Sequence, residues 1–367
     1  MAQSRRGCWC LLAALVVLAL AGGLVFYKFF WPGLQERWRE APPPPSGDEL
    51  RVHVLDVGQG DSILIVAPGG KVVLVDASNP GQGKKILAKM QQYGAQQVDL
   101  LVASHAHADH IGAADEIINA TSVKAVLDSR VPNTTKNYQD FLAAVESKVV
   151  GQGGQYVGAE PGQTFDLGGG ARLVVLAPIQ PFFTKDELRS GGNEPNANSV
   201  VLRLEYGEFS MLLTGDAEAQ TEDRMMQKGA RVGSDVLKVG HHGSKYATSE
   251  DFLRRGEFKH AIISCGADNR YGHPSQEVLD RLKAAEVRLY RTDLQGDINI
   301  KTRGRDYDIE TERQATEEMW AGRKPQKDDS ARSGFIAYGD FGPAPKNRNS
   351  NNSNNSNRNQ NNRNSRR

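Results

Sequence analysis

Ser104-His105-Ala106-His107-Ala108-Asp109-His110 follows the run Val98 to Ala103, and this junction decides how the rest of the chain is read. The run reads as a buried strand. A chain leaving a strand in extended conformation points alternate side chains the same way. His105 and His107 can therefore close on one ion while Asp109 and His110 turn toward a neighbouring one. Three imidazoles and a carboxylate suit a borderline divalent cation such as zinc, and also manganese or iron. The alternative, a polar turn with solvated histidines, is disfavoured because ligands of the same type recur later in the chain. Ala113 to Asn119 reads as a helix that backs the loop.

The recurring ligands also stand at strand ends. Leu212-Leu213-Thr214-Gly215-Asp216 places a carboxylate just past an apolar strand, where it could bridge two cations. Its alternative use is as N-cap of a helix predicted over Ala217 to Lys228. Leu237-Lys238-Val239-Gly240-His241-His242-Gly243-Ser244 repeats the pattern, a strand running out into two histidines, either of which could be a metal ligand. Tyr271-Gly272-His273-Pro274 offers an imidazole on a rigid turn before a helix, as a catalytic acid or simply as a turn residue.

Around these motifs the chain divides into four parts. Residues 1–30 hold Arg5, Arg6 and the apolar stretch Gly7 to Tyr27, about 20 residues and long enough to cross a bilayer as one helix. Trp31 and Trp38 flank it as interfacial anchors would. Ala19-Leu20-Ala21 supports the rival reading of a cleaved signal. Residues 31–48 include Pro42 to Pro45, a stiff spacer. Residues 49–312 carry short strands in hairpins first and in alternation with helices later, which predicts two sheets with helices packed outside. Residues 313–367 are polar, and the Asn/Ser/Arg tract from Asn347 cannot bury enough apolar surface to fold. The net charge of +1 includes six positive and no negative charges from Pro345 onward, leaving −5 for the remainder. Attraction to polyanions would thus come from the tail or from a local patch. The three cysteines, Cys8, Cys10 and Cys265, supply neither a zinc finger nor a disulfide framework.

The successive motifs His105-x-His107-x-Asp109-His110, Thr214-Gly215-Asp216 and His241-His242 resemble those of the metallo-β-lactamase superfamily. Leu55-Asp56-Val57-Gly58-Gln59-Gly60-Asp61-Ser62, Asn198-Ser199, His241-His242-Gly243-Ser244 and Tyr271-Gly272-His273-Pro274 are similar to the soluble hydrolase domain of ComEC-type DNA-uptake (competence) proteins. The resemblance covers about Glu49 to Glu310 and implies an α/β fold, an αββα sandwich with two divalent metals at one edge. It implies that His105 and His107 hold one metal, Asp109, His110 and His242 the other, and that Asp216 bridges them. His241 would then face the substrate phosphate. Asp61 belongs to the same signature and is a further substrate-binding candidate, whereas Asp56 and Gln59 would shape their turn. No histidine lies between His110 and His241, and Asn198 or Ser199 stands where many superfamily members place another one, so both are candidates for binding substrate. Manganese is therefore as plausible as zinc, and β-lactam hydrolysis is disfavoured.

The expected activity is metal-dependent hydrolysis of a phosphodiester, with DNA as the first substrate to test. Asp109 would orient the water; Lys238, Ser244 and His273 are candidates for phosphate contact or leaving-group protonation. The expected setting is a single-pass membrane protein with its hydrolase domain outside the cytoplasm, working with a separate DNA channel because one apolar span cannot conduct DNA. Two rival functions stand beside this one, a phosphodiesterase for cell-wall or phosphocholine esters and a non-catalytic module gripping nucleic acid or another anionic polymer.

Overall fold

Strand β2 (Ile63–Val66) is apolar and buried at every position. Ile63 and Ile65 enter one core while Leu64 and Val66 enter another. Strand β3 (Val72–Val75) divides in the same way, Val73 and Val75 to one side, Val72 and Leu74 to the other. Side chains alternate along a strand, so a sheet built from such runs must be covered on both faces.

In the computed structural model of the protein, residues 47–188, 193–314 and 317–325 are described. The apolar segment 7–27, the proline spacer and the Asn/Ser/Arg tract lie outside the described residues. Among the described residues no helix is long and apolar enough to cross a membrane.

Two sheets form the interior. The first joins β1 (Leu50–Val54), β2, β3, β4 (Leu100–Ala103), β5 (Ala125–Asp128), β6 (Gln155–Gly158), β14 (Ile298–Thr302) and β15 (Tyr307–Thr311) in the order β15-β14-β1-β2-β3-β4-β5-β6. The second joins β7 (Thr164–Gly168), β8 (Ala171–Ala177), β9 (Val201–Tyr206), β10 (Phe209–Leu213), β11 (Val236–Lys238), β12 (His260–Ile263) and β13 (Arg288–Arg291) in the order β13-β12-β11-β10-β9-β8-β7. In each sheet an antiparallel half passes into a parallel one: β3 to β6 run parallel in the first, β10 to β13 in the second.

The inner faces share one core that includes Val54, Ile65, Val102, Leu204, Met211 and Ile262. Helices α1 (Gly83–Gln92), α2 (Ala108–Ile111), α3 (Ala114–Ala120) and α4 (Lys136–Ala144) cover the outside of the first sheet, with Ile86, Ile117 and Phe141 packed against Leu64, Leu74 and Leu101. A short helix α5 (Glu194–Ala197) precedes β9. Helices α6 (Ala219–Gln227), α7 (Glu250–Gly256) and α8 (Gln276–Ala284) cover the second sheet through Met225, Phe252 and Leu279, and a short α9 (Thr292–Gln295) follows β13. This is the expected αββα sandwich.

The strands with the weakest apolar pattern in the sequence are β6, β7 and β15; β6 and β15 are the edges of the first sheet and β7 is an edge of the second. Half-exposed edge strands carry little apolar pattern: β6 and β15 contain no fully buried residue and β7 only Leu167. Residues 317–325, placed in the polar tail by composition, pack on the domain instead. Buried Arg291 donates to the carbonyls of Met319 and Ala321 at 3.0 and 2.7 Å, and Arg323 donates to Asp293 at 2.6 Å.

Candidate metal centre

The carboxyl ends of parallel strands are where an α/β sheet leaves a crevice, and here both sheets open one at the same place. β3 runs into Asp76, β4 into Ser104-His105, β10 into Thr214-Gly215-Asp216 and β11 into Gly240-His241-His242. His107 is still extended and caps α2, whose first turn carries Asp109 and His110. The loop from Gly58 to Asp61 closes over them: Asp61 N–H donates to the Asp109 carbonyl at 3.1 Å. A Cβ at Gly60 would stand 2.4 Å from that carbonyl oxygen, and its φ of +123° also requires glycine.

Among the described residues four groups of possible ligands form, two of them through Asp61, with Asp76 and His110 or with Asp216 and His242, and the other two match the expected sets. His105, His107 and Asp216 converge as one group, and Asp109, His110 and His242 as another. Asp216 joins them: its Oδ2 lies 3.8 Å from His105 Nε2, while its Oδ1 lies 3.1 Å from His110 Nε2 and 3.5 Å from His242 Nε2. His241 and His242 adopt φ of +48° and +52°, a left-handed backbone costing a non-glycine residue on the order of 1 kcal/mol. That turn aims them at different oxygens of Asp216, since His241 Nε2 is 3.7 Å from Oδ2.

The donor chemistry fits a cation. His110 Nδ1 sits 2.7 Å from Asp76 Oδ2 and His242 Nδ1 sits 3.0 Å from the Ser264 carbonyl, so each Nδ1 carries a proton. In the neutral rings both Nε2 lone pairs then face each other at 3.2 Å, with Asp216 Oδ1 and, 3.3 Å from His242, Asp109 Oδ2 beside them. Four electron-pair donors pointed at one another are stable only around positive charge. Asp216 Oδ1, buried, has no hydrogen-bond partner.

Residues 55–267 match the metallo-beta-lactamase superfamily. The chain belongs to that superfamily. It is thus a metal-dependent hydrolase by family, and its relatives include competence proteins. ComE operon protein 3 of Bacillus subtilis is 34% identical over 280 residues, which is 71% of this chain and 34% of that protein. Recombination protein 2 of Haemophilus influenzae is 32% identical over 256 residues, 68% of this chain and 28% of that protein. Competence protein ComA of Neisseria gonorrhoeae is 28% identical over 262 residues, 70% of this chain and 33% of that protein. The chain spans about a third of the length of these curated relatives.

Within this metallo-beta-lactamase superfamily site the structure separates the candidates. His105, His107, Asp109, His110, Asp216 and His242 come together. Of the histidine pair, His242 is the one grouped with Asp109 and His110; His241 flanks them, half-buried beside Asn196 and 3.5 Å from Glu218. Asp216 is not a helix cap, because Glu218 occupies the N-cap of α6.

Lys238, Asp61, Ser244 and Asn198 are engaged with other partners. Lys238 is fully buried, and its ammonium pairs with Asp61 at 2.8 Å, which engages both side chains with each other. Asp61 Oδ1 in turn lies 3.4 Å from His242 Nδ1, which makes the pair a brace behind that ring. Ser244 is buried and accepts from the Tyr246 N–H at 3.4 Å. Asn198 holds the backbone of Phe183 through both ends of its amide. Ser199 is buried, with its hydroxyl lacking a partner. His273 does stand over the site, its ring 5.3 Å from that of His241. Asp56 and Gln59 shape their turn, accepting from Gly58 N–H and Gly266 N–H.

Three buried residues were missed: Asp76, Asn196 and Glu218. Asp76 ends an apolar strand as Asp216 does, and that signal could have found it. Asn196 and Glu218 carry no comparable signal.

Ionisation follows the crowding. Burial opposes charge on His110, yet the carboxylates of Asp216 and Asp76 lift it well above the ordinary imidazole value. Burial likewise opposes charge on His242, but Asp216 and Asp61 push it up to about 10. Asp216 is held well below the usual carboxylate range, against its burial, by His110 and His242. His105 goes the other way, lowered by burial and by His110. In the metal-free protein, protons supply the positive charge that the donor set requires.

Proposed function

We propose that the protein is a metal-dependent phosphodiesterase that cleaves DNA. The observation that carries the reading is Asp216, one carboxylate facing two separate ligand sets through its two oxygens. Shared donors of this kind suit a two-cation centre, whose chemistry is activation of a water near neutral pH and neutralisation of charge on a phosphoryl group. Phosphodiesters gain most from it, because their transition state spreads negative charge over several oxygens. Zinc and manganese both suit two imidazoles and a carboxylate in one set, and two imidazoles with two carboxylates in the other.

The chain's own residues divide the remaining work. Asp76 and the Ser264 carbonyl fix the tautomers of His110 and His242, so that both present Nε2. Asp109, whose side chain is 20% exposed, reaches the mouth and orients the attacking water. His241, held beside Asn196, and His273 above it line the side where a phosphate would enter. DNA as substrate is favoured by the relatives that carry competence and recombination names. We further propose that residues 7–27 anchor the chain, with the hydrolase domain outside the cytoplasm, and that a separate channel protein conducts the DNA.

The test is hydrolysis of single-stranded DNA and of bis-p-nitrophenyl phosphate by the purified protein, with manganese or zinc added. Cleavage that stops with chelator and returns with metal supports the proposal. A folded, metal-loaded protein inert toward both substrates overturns it, and leaves the wall-ester or binding-module reading.

A further inference from the structure

Among the described residues the large apolar or aromatic side chains left exposed are Val150, Tyr246 and Tyr271, at 48%, 39% and 47%. Both tyrosines lie on loops of the metal centre: Tyr246 follows the histidine pair, and Tyr271 precedes His273. Each has a cation over its ring, Lys245 at 5.2 Å and Arg270 at 4.9 Å. An isolated exposed aromatic needs no explanation. Two of them, each with a basic neighbour and each beside the same site, do.

The Tyr271 ring also continues a row of rings that starts at the metal ligands. His273 lies over His242 with 6.5 Å between centroids and 28° between planes, and Tyr271 lies over His273 with 5.7 Å and 21°. The turn carrying the row is fixed from several sides. Asn269 donates to the His273 carbonyl and accepts from the His273 N–H at 2.9 Å. Arg323 N–H donates to the Pro274 carbonyl at 2.9 Å, and Pro325 closes on Gly272, leaving no room for a Cβ there. A rigid ring at the surface is pre-organised for stacking and loses little entropy on contact.

We propose that Tyr271, with Arg270, is a substrate-positioning platform on which an unpaired nucleobase of a single strand stacks, so that a neighbouring phosphodiester lies in the metal centre. This rests on the phosphodiesterase reading above and specifies its substrate class. Aromatic rings and guanidinium planes are the surfaces that sequence-tolerant single-strand binding uses, with the cation also meeting the backbone. Duplex DNA, whose bases are already stacked, does not offer the free face.

The experiment uses the whole chain with Tyr271→Leu, Tyr271→Phe and Tyr271→Trp. Binding of a short, fluorescent, cleavage-resistant phosphorothioate oligothymidylate is followed by anisotropy in manganese, beside hydrolysis of bis-p-nitrophenyl phosphate. Removing a base–aromatic stack costs about tenfold in affinity. Leu is therefore expected to weaken the oligonucleotide about tenfold while Phe and Trp hold it, with the small diester hydrolysed at the wild-type rate by all three. Equal binding by Leu and Tyr, equal affinity for a hairpin duplex and a single strand, or a parallel loss on the small diester would overturn the platform. Wild-type protein that cleaves neither the small diester nor single-stranded DNA, while Leu still weakens oligonucleotide binding, supports the platform and overturns the hydrolase reading instead.

Discussion

Asp76→Asn is the sharpest probe of the centre, because it changes one atom type behind a ligand and nothing in front of it. Asp76 has a φ of +62°, a left-handed backbone that asparagine tolerates well, so the strand end keeps its path. The carboxylate accepts from Ser104 N–H and Ser104 Oγ at 2.8 Å each and from His110 Nδ1 at 2.7 Å. An amide cannot serve all three. If its oxygen faces the Ser104 N–H, its NH2 faces His110, and the ring must accept at Nδ1 and carry its proton on Nε2, where the metal lone pair is needed. If the amide turns over, two N–H groups oppose each other at Ser104. Losing an orienting partner of a ligand histidine costs about 10–100-fold in metal affinity, or about 1.4–2.8 kcal/mol. The loss should fall on the site of Asp109, His110 and His242 and spare that of His105 and His107. Competition titration against a chelating dye, which resolves two affinities, measures it, with circular dichroism as the control for folding. Two affinities that stay within about twofold of wild type would refute the argument.

Asp216→Ala should abolish tight binding of both ions at once, because one carboxylate serves both sets; elemental analysis that finds one ion still bound would contradict the bridge. Lys238→Met leaves Asp61 charged and buried without its partner and should destabilise the fold by about 3–5 kcal/mol. Urea unfolding reads this, and Asp61→Asn combined with Lys238→Met should recover much of it. His242, against its burial, is raised by Asp216 and Asp61 from 6.5 to about 10 in the metal-free chain. Its stabilisation is complete below about pH 6.5 and disappears as pH rises through about 10, so unfolding in chelator should become easier across that interval. Asp61, against its burial, is lowered by Lys238 and His242 from 3.8 to about 2. Its contribution is present above about pH 3.8 and is lost as pH falls through about 2. Metal must displace the imidazole proton, so affinity should rise with pH, and calorimetry in buffers of different ionisation enthalpy should count protons released on binding.

The ligands that could be read from the chain share one property. His105, Asp216 and His242 all stand where an apolar strand stops, and a metal-binding side chain at the end of a buried strand has few other uses. Asp76 has the same signature, although no histidine stands beside it in the chain. The residues that could not be placed are those whose role depends on direction. Lys238 and Ser244 sit inside a ligand motif, yet one faces a buried carboxylate and the other its own loop. Asn196, two positions from the expected Asn198, meets His241 because α5 turns it there.

Sequence by itself determined the residue types and the strands that carry them, because apolar alternation and donor chemistry are local properties. It also pointed to the layered fold, since strands that come in hairpins first and alternate with helices later call for two sheets with helices outside. Only the tertiary structure decided which donors meet. His110 and His242 are 132 positions apart, and their Nε2 atoms lie 3.2 Å from each other. The packing of one sheet's strand ends against the other's sets that distance, and no local pattern encodes it.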